Sequence, residues 1–381
     1  MRSTEAGSTP GMSGGIGLDA IERELTLLWK REEEPSADGS PEPVIRACSM
    51  NLVIITDDVS ALDALGQLSG VVAAEHPSRI MLVALDRTGT GAAAAWISVR
   101  CMIPEPGGKQ VCCEQISIVA PGAEIAKVPP LITSLLVSDV PTVLFWKAAV
   151  RSGDAVLSSL AQLSDRVFMD SSEDPDPEAR LRAWIAFVRA YNGRGTFGDL
   201  TWTHITEWRA LVAQAYQPPE FRGGLGTIDE VSVAYSEALG RRHSGLSQSL
   251  LMIGWLADRL GWKPVSALKR ENAHRTMTWA DDGRTIDIRF ARRAGTNPAR
   301  GGIEEITLHS SSGQSVDVEW LGERGCARLR TSQGSGIRDA EVSTVKERSE
   351  EELIARELEI LQRDAVYEGS LARLGTALEA R

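Results

Sequence analysis

The chain lacks most of the signatures by which a sequence declares chemistry. Its five cysteines (Cys48, Cys101, Cys112, Cys113 and Cys326) form no CxxC pair and follow no disulfide-framework spacing, which excludes a zinc ribbon or a stapled secreted scaffold. Its five histidines (His76, His204, His243, His274 and His309) stand far apart, without HExxH or an i, i+4 pair, so no zinc site is spelled out. No GxSxG elbow supports a Ser–His–Asp triad. Basic charge is in deficit, with 41 Lys and Arg against 52 Asp and Glu and a net charge of −11, which argues against a general nucleic-acid or anionic-membrane binder. No apolar run is long enough to span a bilayer. The opening MRSTEAGSTPGMSGG has no apolar core of the secretory kind. These gaps set the expectation of a cytoplasmic protein with no cofactor, no metal and no catalytic residue of its own.

What is present suits a folded chain. The 381 residues, 43% hydrophobic and 24% charged, suffice for two domains with proper cores. Residues 1–17 read as disordered. A helix is predicted over 18–31 with Ile21, Leu25 and Leu28 on one face, followed by a turn-rich linker, EEEPSADGSPEP. Strands are expected at Ile45–Thr56, Ile80–Leu85, Ala94–Ile103 as partner of the preceding one, Lys109–Val119, Thr142–Trp146 and Arg166–Met169. Helices are expected at Ala61–Leu68, Leu131–Val137, Asp154–Leu163 and Pro177–Tyr191. The alternation predicts a layered α/β domain with a mixed sheet over 18–217. After a break at Gln217–Gly226, a smaller α+β domain over 226–331 is expected, an antiparallel sheet covered by the helix Leu246–Leu260. The remainder, 342–381, reads as a charged C-terminal helix.

Tempting motifs weaken on inspection. Gly89-Thr90-Gly91-Ala92-Ala93-Ala94 imitates a dinucleotide fingerprint, but the fingerprint needs a helix next to offer its amides to a pyrophosphate. Here a strand follows, so the segment reads as a hairpin loop. Gly107-Gly108-Lys109 lacks the rest of a P-loop and reads as a turn. Asp57-Asp58 and Asp170-Ser171-Ser172 end strands, where a ligand crevice can open, yet capping is the commoner use of such residues. Cys112-Cys113 is the one redox-suggestive feature, but the two would strain the backbone if paired together. A switch would need Cys48, Cys101 or Cys326 as partner; the bland reading is that the cysteines are buried thiols. Tryptophan is abundant, and Trp146, Trp202, Trp208, Trp255 and Trp262 are too many to be simple core, because indole N–H groups want partners.

The densest corner is Asp199–Tyr216, DLTWTHITEWRALVAQAY. Thr206 is expected to cap a helix with Trp208, Leu211, Val212 and Ala215 on one face. This stretch resembles the signature of the glucose-6-phosphate dehydrogenase assembly protein (OpcA) family. So do His76-Pro77-Ser78-Arg79, Cys113-Glu114-Gln115-Ile116, SLLVSDVPTVLFW (Ser134–Trp146), SDRVFMDS (Ser164–Ser171), LLMIGWLADRLGW (Leu250–Trp262) and the early IERELTLLW. Their order agrees from about Ile16 to Cys326; the linker and the tail after Arg330 depart from it. The resemblance implies a non-catalytic factor that promotes the active oligomer of glucose-6-phosphate dehydrogenase in the oxidative pentose phosphate pathway. It makes Trp146, Trp202, Trp208, Arg209, His76 and Arg79 the candidate partner-contact residues, as contacts or as their support. Two other readings stay open: a sugar-phosphate- or nucleotide-binding protein or enzyme of unknown reaction using the His76–Arg79 or Gly89 loop, and a scaffold recruiting other chains through its C-terminal helix.

Overall fold

The computed structural model describes residues 4–6, 12–13, 21–27, 44–102, 110–238, 245–271, 274–295, 301–322, 325–334 and 336–379. The linker at 32–43, the turn at Gly107–Lys109 and His243 lie outside them. Two compact units interleave along the chain. One comprises residues up to Met169 with Tyr191–Gly198 and Ser349–Arg363; the other comprises Asp170–Ala190, Asp199–Arg348 and Asp364 onward. Both carry a mixed sheet, which makes the protein α/β.

The sheet of the first unit contains β1 (Thr4–Ala6), β2 (Met12–Ser13), β3 (Val44–Arg46), β4 (Met50–Thr56), β5 (Ser78–Asp86), β6 (Ala94–Met102), β7 (Gln110–Pro121), β8 (Thr142–Trp146), β9 (Arg166–Met169) and β10 (Thr196–Asp199). Its order is β1-β6-β7-β5-β4-β8-β9-β10. Strands β7, β5, β4, β8 and β9 run parallel, the doubly wound arrangement with its reversal point at β4. Such strands are covered on both faces, which is why β4, β5 and β8 read as continuous apolar runs. All seven residues of β4 and all five of β8 are buried. Helices Leu62–Glu75, Val128–Leu135 and Ala155–Leu163 supply the connections.

Two expectations are corrected here. The partner of β6 is β7, not β5, because β7 inserts between them, antiparallel to β6 and parallel to β5; the Gly89 loop is therefore a crossover rather than a hairpin. Within residues 1–17, Thr4–Ala6 and Met12–Ser13 are not disordered but pair with β6. Backbone groups at a sheet edge recruit such segments without apolar side chains.

The second unit carries β11 (Ile228–Ser236), β12 (Lys263–Pro264), β13 (Lys269–Glu271), β14 (His274–Asp281), β15 (Arg284–Arg292), β16 (Gly302–Ser310), β17 (Gln314–Trp320), β18 (Cys326–Gln333) and β19 (Gly336–Thr344). The β11–β15 pair is parallel and the others are antiparallel, so this sheet too is mixed. Strand β17 alternates buried and half-buried residues along its whole length, the signature of a sheet with one covered face. Helix Gly245–Leu260 is buried along most of its length. It packs closely on helix Ala365–Glu379: a Cβ on Gly254 would lie 2.8 Å from the Ser370 carbonyl oxygen and 3.3 Å from Leu374 Cβ. The tail expected as one helix is the end of β19 and two helices, Glu350–Glu359 and Ala365–Glu379. Ser349 and Glu352 start the first with a capping box.

Candidate functional site

The first place to look for chemistry is the C-terminal end of the parallel strands at the reversal point, where open α/β sheets bind ligands. In this chain a carboxylate fills it. Asp57, the residue after β4, accepts from the backbone N–H of Ala149 (2.9 Å) and pairs with Arg87 (2.8 Å) and Arg151 (3.1 Å). Arg87 also pairs with Asp154 at 2.9 Å. Asp58 caps a short 3-10 helix by accepting from the Ser60 N–H, as its sequence position suggested. At the Gly89 loop the Asp86 carboxylate accepts the Gly89 N–H at 2.8 Å. Both places where amides could cradle a phosphate therefore hold an acidic group, which repels phosphate.

At the opposite end of the same strands lies a cavity of about 390 Å³, lined by Cys48, Ser78, Arg79, Glu114, Val137 and Ser138 among others. Arg79 and Glu114 come from two of the motifs quoted above and meet here. Arg79 Nε and Nη2 donate to Glu114 Oε2 at 2.7 and 2.6 Å, and Nη1 donates to the Leu135 carbonyl at 2.8 Å. The cation is thus held by its own chain. His76 ends helix Leu62–Glu75, its N–H donating to the Val72 carbonyl, and its Nε2 is buried with no hydrogen-bond partner among the described residues.

The third place is the corner around Trp202 in the second unit. Thr206 does not cap as expected. The chain forms two helices: Leu200–His204, capped by Asp199 accepting from the Thr201 N–H at 2.9 Å, and Thr206–Ala215, which starts at Ile205 with no side-chain cap. The turn between them folds Arg209 back over Trp202, with Cζ 3.5 Å from the ring centroid. Trp202 Nε1 donates to Asp364 Oδ2 at 2.9 Å, and its ring meets Tyr367. Trp184 Nε1 donates to the Tyr367 hydroxyl at 3.0 Å. Burial lowers the Arg209 pKa to about 10, against the opposing influence of Asp364 and Glu207.

Asp199 itself sits in a wholly enclosed polar cluster. It accepts from the Ser171 N–H at 3.1 Å, while Asp170 accepts from Ser172 and from the Thr201 hydroxyl (3.0 Å). Burial first, and Asp170 second, push its pKa up to about 7. Apart from spacing after a strand, the sequence held no sign of this pair.

The six candidate contact residues thus divide. Trp202, Trp208 and Arg209 share one corner of the second unit, whereas His76, Arg79 and Trp146 belong to the first. Trp146, Trp202 and Trp208 are 0%, 3% and 1% exposed, so none of the three is itself a surface residue; Trp146 Nε1 finds the Ala149 carbonyl at 3.3 Å. Trp262 is likewise core, and of the five tryptophans thought too many for it only Trp255 is half-buried. The thiol expectation also needs correction. Cys112 is disulfide-bonded and so is not a thiol. Cys48, Cys113 and Cys326 lie outside any disulfide; Cys113 is buried, Cys48 and Cys326 only half so, and burial pushes the Cys113 thiol up to about 11.

Among the described residues no cluster of three or more His, Cys, Asp or Glu could hold a metal ion, and no helix is long and apolar enough to cross a membrane.

Comparison with known proteins places these motifs. The chain is 27% identical over 314 residues to the OxPP cycle protein OpcA of Synechocystis, covering 80% of this chain and 64% of that one. It is 28% identical over 329 residues to the protein of the same name from Synechococcus elongatus, covering 82% and 71% respectively. Among solved structures, myo-inositol dehydrogenase from Lactobacillus casei overlaps 87% of this chain and 93% of its own at 9% identity, with a TM-score of 0.46. Residues 70–185 match the family model for the N-terminal domain of the glucose-6-phosphate dehydrogenase subunit, and residues 196–371 match the model for the C-terminal domain of that same protein. Because these two matches take in both units and every motif from Arg79 to Trp262, the chain belongs to the OpcA family of glucose-6-phosphate dehydrogenase assembly proteins.

Proposed function

We propose that this protein is a non-catalytic assembly factor and allosteric activator of glucose-6-phosphate dehydrogenase, acting in the cytoplasm on the oxidative pentose phosphate pathway. The observation that carries the reading is the match of both family models, one on each half of the chain. The geometry is consistent with it. Asp57, Arg87 and Asp154 neutralise one another at the strand ends where a cofactor would need an open crevice, and Arg79 is neutralised by Glu114. An activator of this kind works by binding the active state of the dehydrogenase more tightly than the inactive state, so its free energy of binding shifts the oligomer equilibrium. A coupling of about 1–3 kcal/mol is the usual range for such effects. The test is a titration of the dehydrogenase with this protein, read by sizing and by activity. A larger complex together with raised activity supports the reading; neither effect at saturating protein removes it.

A second reading rests on the cavity beside Arg79. A metabolite-sized polar ligand fits about 390 Å³, but a sugar phosphate there must displace Glu114 from Arg79. Calorimetric titration with glucose 6-phosphate separates the two readings: the activator reading expects no heat of binding.

A further inference from the structure

Arg209 differs from the other strongly held arginines. Arg79, Arg87 and Arg166 each lie within 3 Å of a carboxylate. Arg209 has none: its hydrogen-bond partners are neutral, the Trp202 carbonyl at 3.2 Å and the Thr206 hydroxyl at 3.1 Å, both taken by Nη2. Among the described residues no carboxylate forms an ion pair with it. The two nearest acids are engaged elsewhere. Asp364 takes the Trp202 indole N–H and the backbone N–H groups of Val366 and Tyr367, and Glu207 is paired with Arg348. The Arg209 Nε is sealed from solvent without an acceptor, while the group as a whole is only half-buried. A partly desolvated cation held in place by an aromatic ring is primed for a carboxylate, because the desolvation and ordering costs of an ion pair are already met on one side.

The surroundings of this cation are open. On helix Thr206–Ala215 the face away from the core carries Thr206, Ala210 and Ala213, all exposed, with Arg209 among them. These side chains are short, so another backbone can approach Arg209 without displacing long surface groups.

We propose that this helix face is the dehydrogenase-binding surface and that Arg209 receives an acidic side chain of the dehydrogenase. The proposal rests on the activator reading given above. Trp202, Trp208 and Tyr367 then act as the rigid platform beneath the contact, and Arg209 supplies its charge.

The test is the affinity of the dehydrogenase from the same organism for the full-length protein, measured by a surface-based binding assay at several salt concentrations. Three variants are compared: Arg209→Gln, Arg209→Lys and Ala210→Glu. Thermal unfolding reports whether each is folded. Arg209→Gln is expected to weaken binding at least tenfold and to flatten its salt dependence, and Arg209→Lys to restore part of both. Ala210→Glu, at an exposed position that folding does not depend on, is expected to weaken binding similarly by setting a negative charge beside the incoming acid. If the wild-type protein binds and both Arg209→Gln and Ala210→Glu bind as well as it does, the assigned surface is wrong while the activator reading stands. If the wild-type protein neither binds nor activates, the activator reading fails and takes this inference with it.

Discussion

The guanidinium of Arg209 lies 3.5 Å from the centroid of the Trp202 indole, on a ring whose N–H is held by Asp364 at 2.9 Å. The arginine depends on the orientation of the ring, and the ring on the carboxylate. Replacing Trp202 by Phe keeps an aromatic face but leaves Asp364 without one donor. The loss of one hydrogen bond to a charged group is about 1.5–3 kcal/mol. Urea unfolding is expected to show a lowered midpoint with an unchanged slope, and Trp202→Ala a larger loss.

Arg166 and Glu357 make the deepest ion pair among the described residues, 2.6 Å apart with exposures of 1% and 0%. A buried pair adds little by existing, but removing one partner strands the other charge. Glu357→Ala is therefore expected to cost about 3–5 kcal/mol, measured by chemical denaturation. The double variant Arg166→Met, Glu357→Leu should recover much of that loss. Gly198 belongs to the same feature: a Cβ there would lie 2.2 Å from Glu357 Oε2, so Gly198→Ala should disturb the pair as well.

Burial of Asp199 beside Asp170 is expected to give the fold a pH dependence. The Asp199 pKa rises from 3.8 to about 7 in the folded chain through burial and the nearby Asp170. Between those values the folded chain keeps a proton that the unfolded chain has released, so this group's contribution to stability declines as pH rises through the window and levels off above about 7. In Asp199→Asn, whose side-chain oxygen can still accept the Ser171 and Thr201 N–H groups, the decline is expected to vanish. Unfolding midpoints of both proteins from pH 4 to pH 8 check it: the difference should move in favour of the variant as pH rises.

Gly254 permits the close packing of helices Gly245–Leu260 and Ala365–Glu379. The position has no room for a methyl group against the Ser370 carbonyl, and overpacking of this kind costs about 1–3 kcal/mol. Gly254→Ala is expected to lower the thermal midpoint despite the better helix propensity of alanine, and Gly254→Leu to lower it further.

The parallel strands of the first unit were legible because burial on both faces forces unbroken apolar runs; Thr142–Trp146 and Arg166–Met169 stand where they were expected. Strand partners were not legible, since β6 pairs with β7 rather than with its predecessor in sequence, and nothing local encodes which edge a crossover returns to. Thr206 looked like a cap because capping residues are recognised by type, but the turn at Ile205 divides the stretch: Asp199 caps the separate helix Leu200–His204, and helix Thr206–Ala215 starts at Ile205 with no side-chain cap. The motif residues that carry the family likeness turn out to hold the fold. Arg79 meets Glu114, Asp165 takes the Thr142 N–H at 2.8 Å, and Arg166 meets Glu357. Tryptophan abundance suggested a contact surface, yet Trp146, Trp202 and Trp208 are core; exposure depends on which helix face meets the sheet, and a residue type alone does not report that.

On the proposed reading, this protein changes the behaviour of glucose-6-phosphate dehydrogenase without chemistry of its own. The most direct measurement is dehydrogenase rate against glucose 6-phosphate concentration, with and without this protein, using the dehydrogenase of the same organism. A lower half-saturation or a higher maximal rate is expected, saturating as a larger complex forms, with no turnover by this protein alone. An unchanged rate curve at excess protein, with no complex on sizing, would contradict that reading.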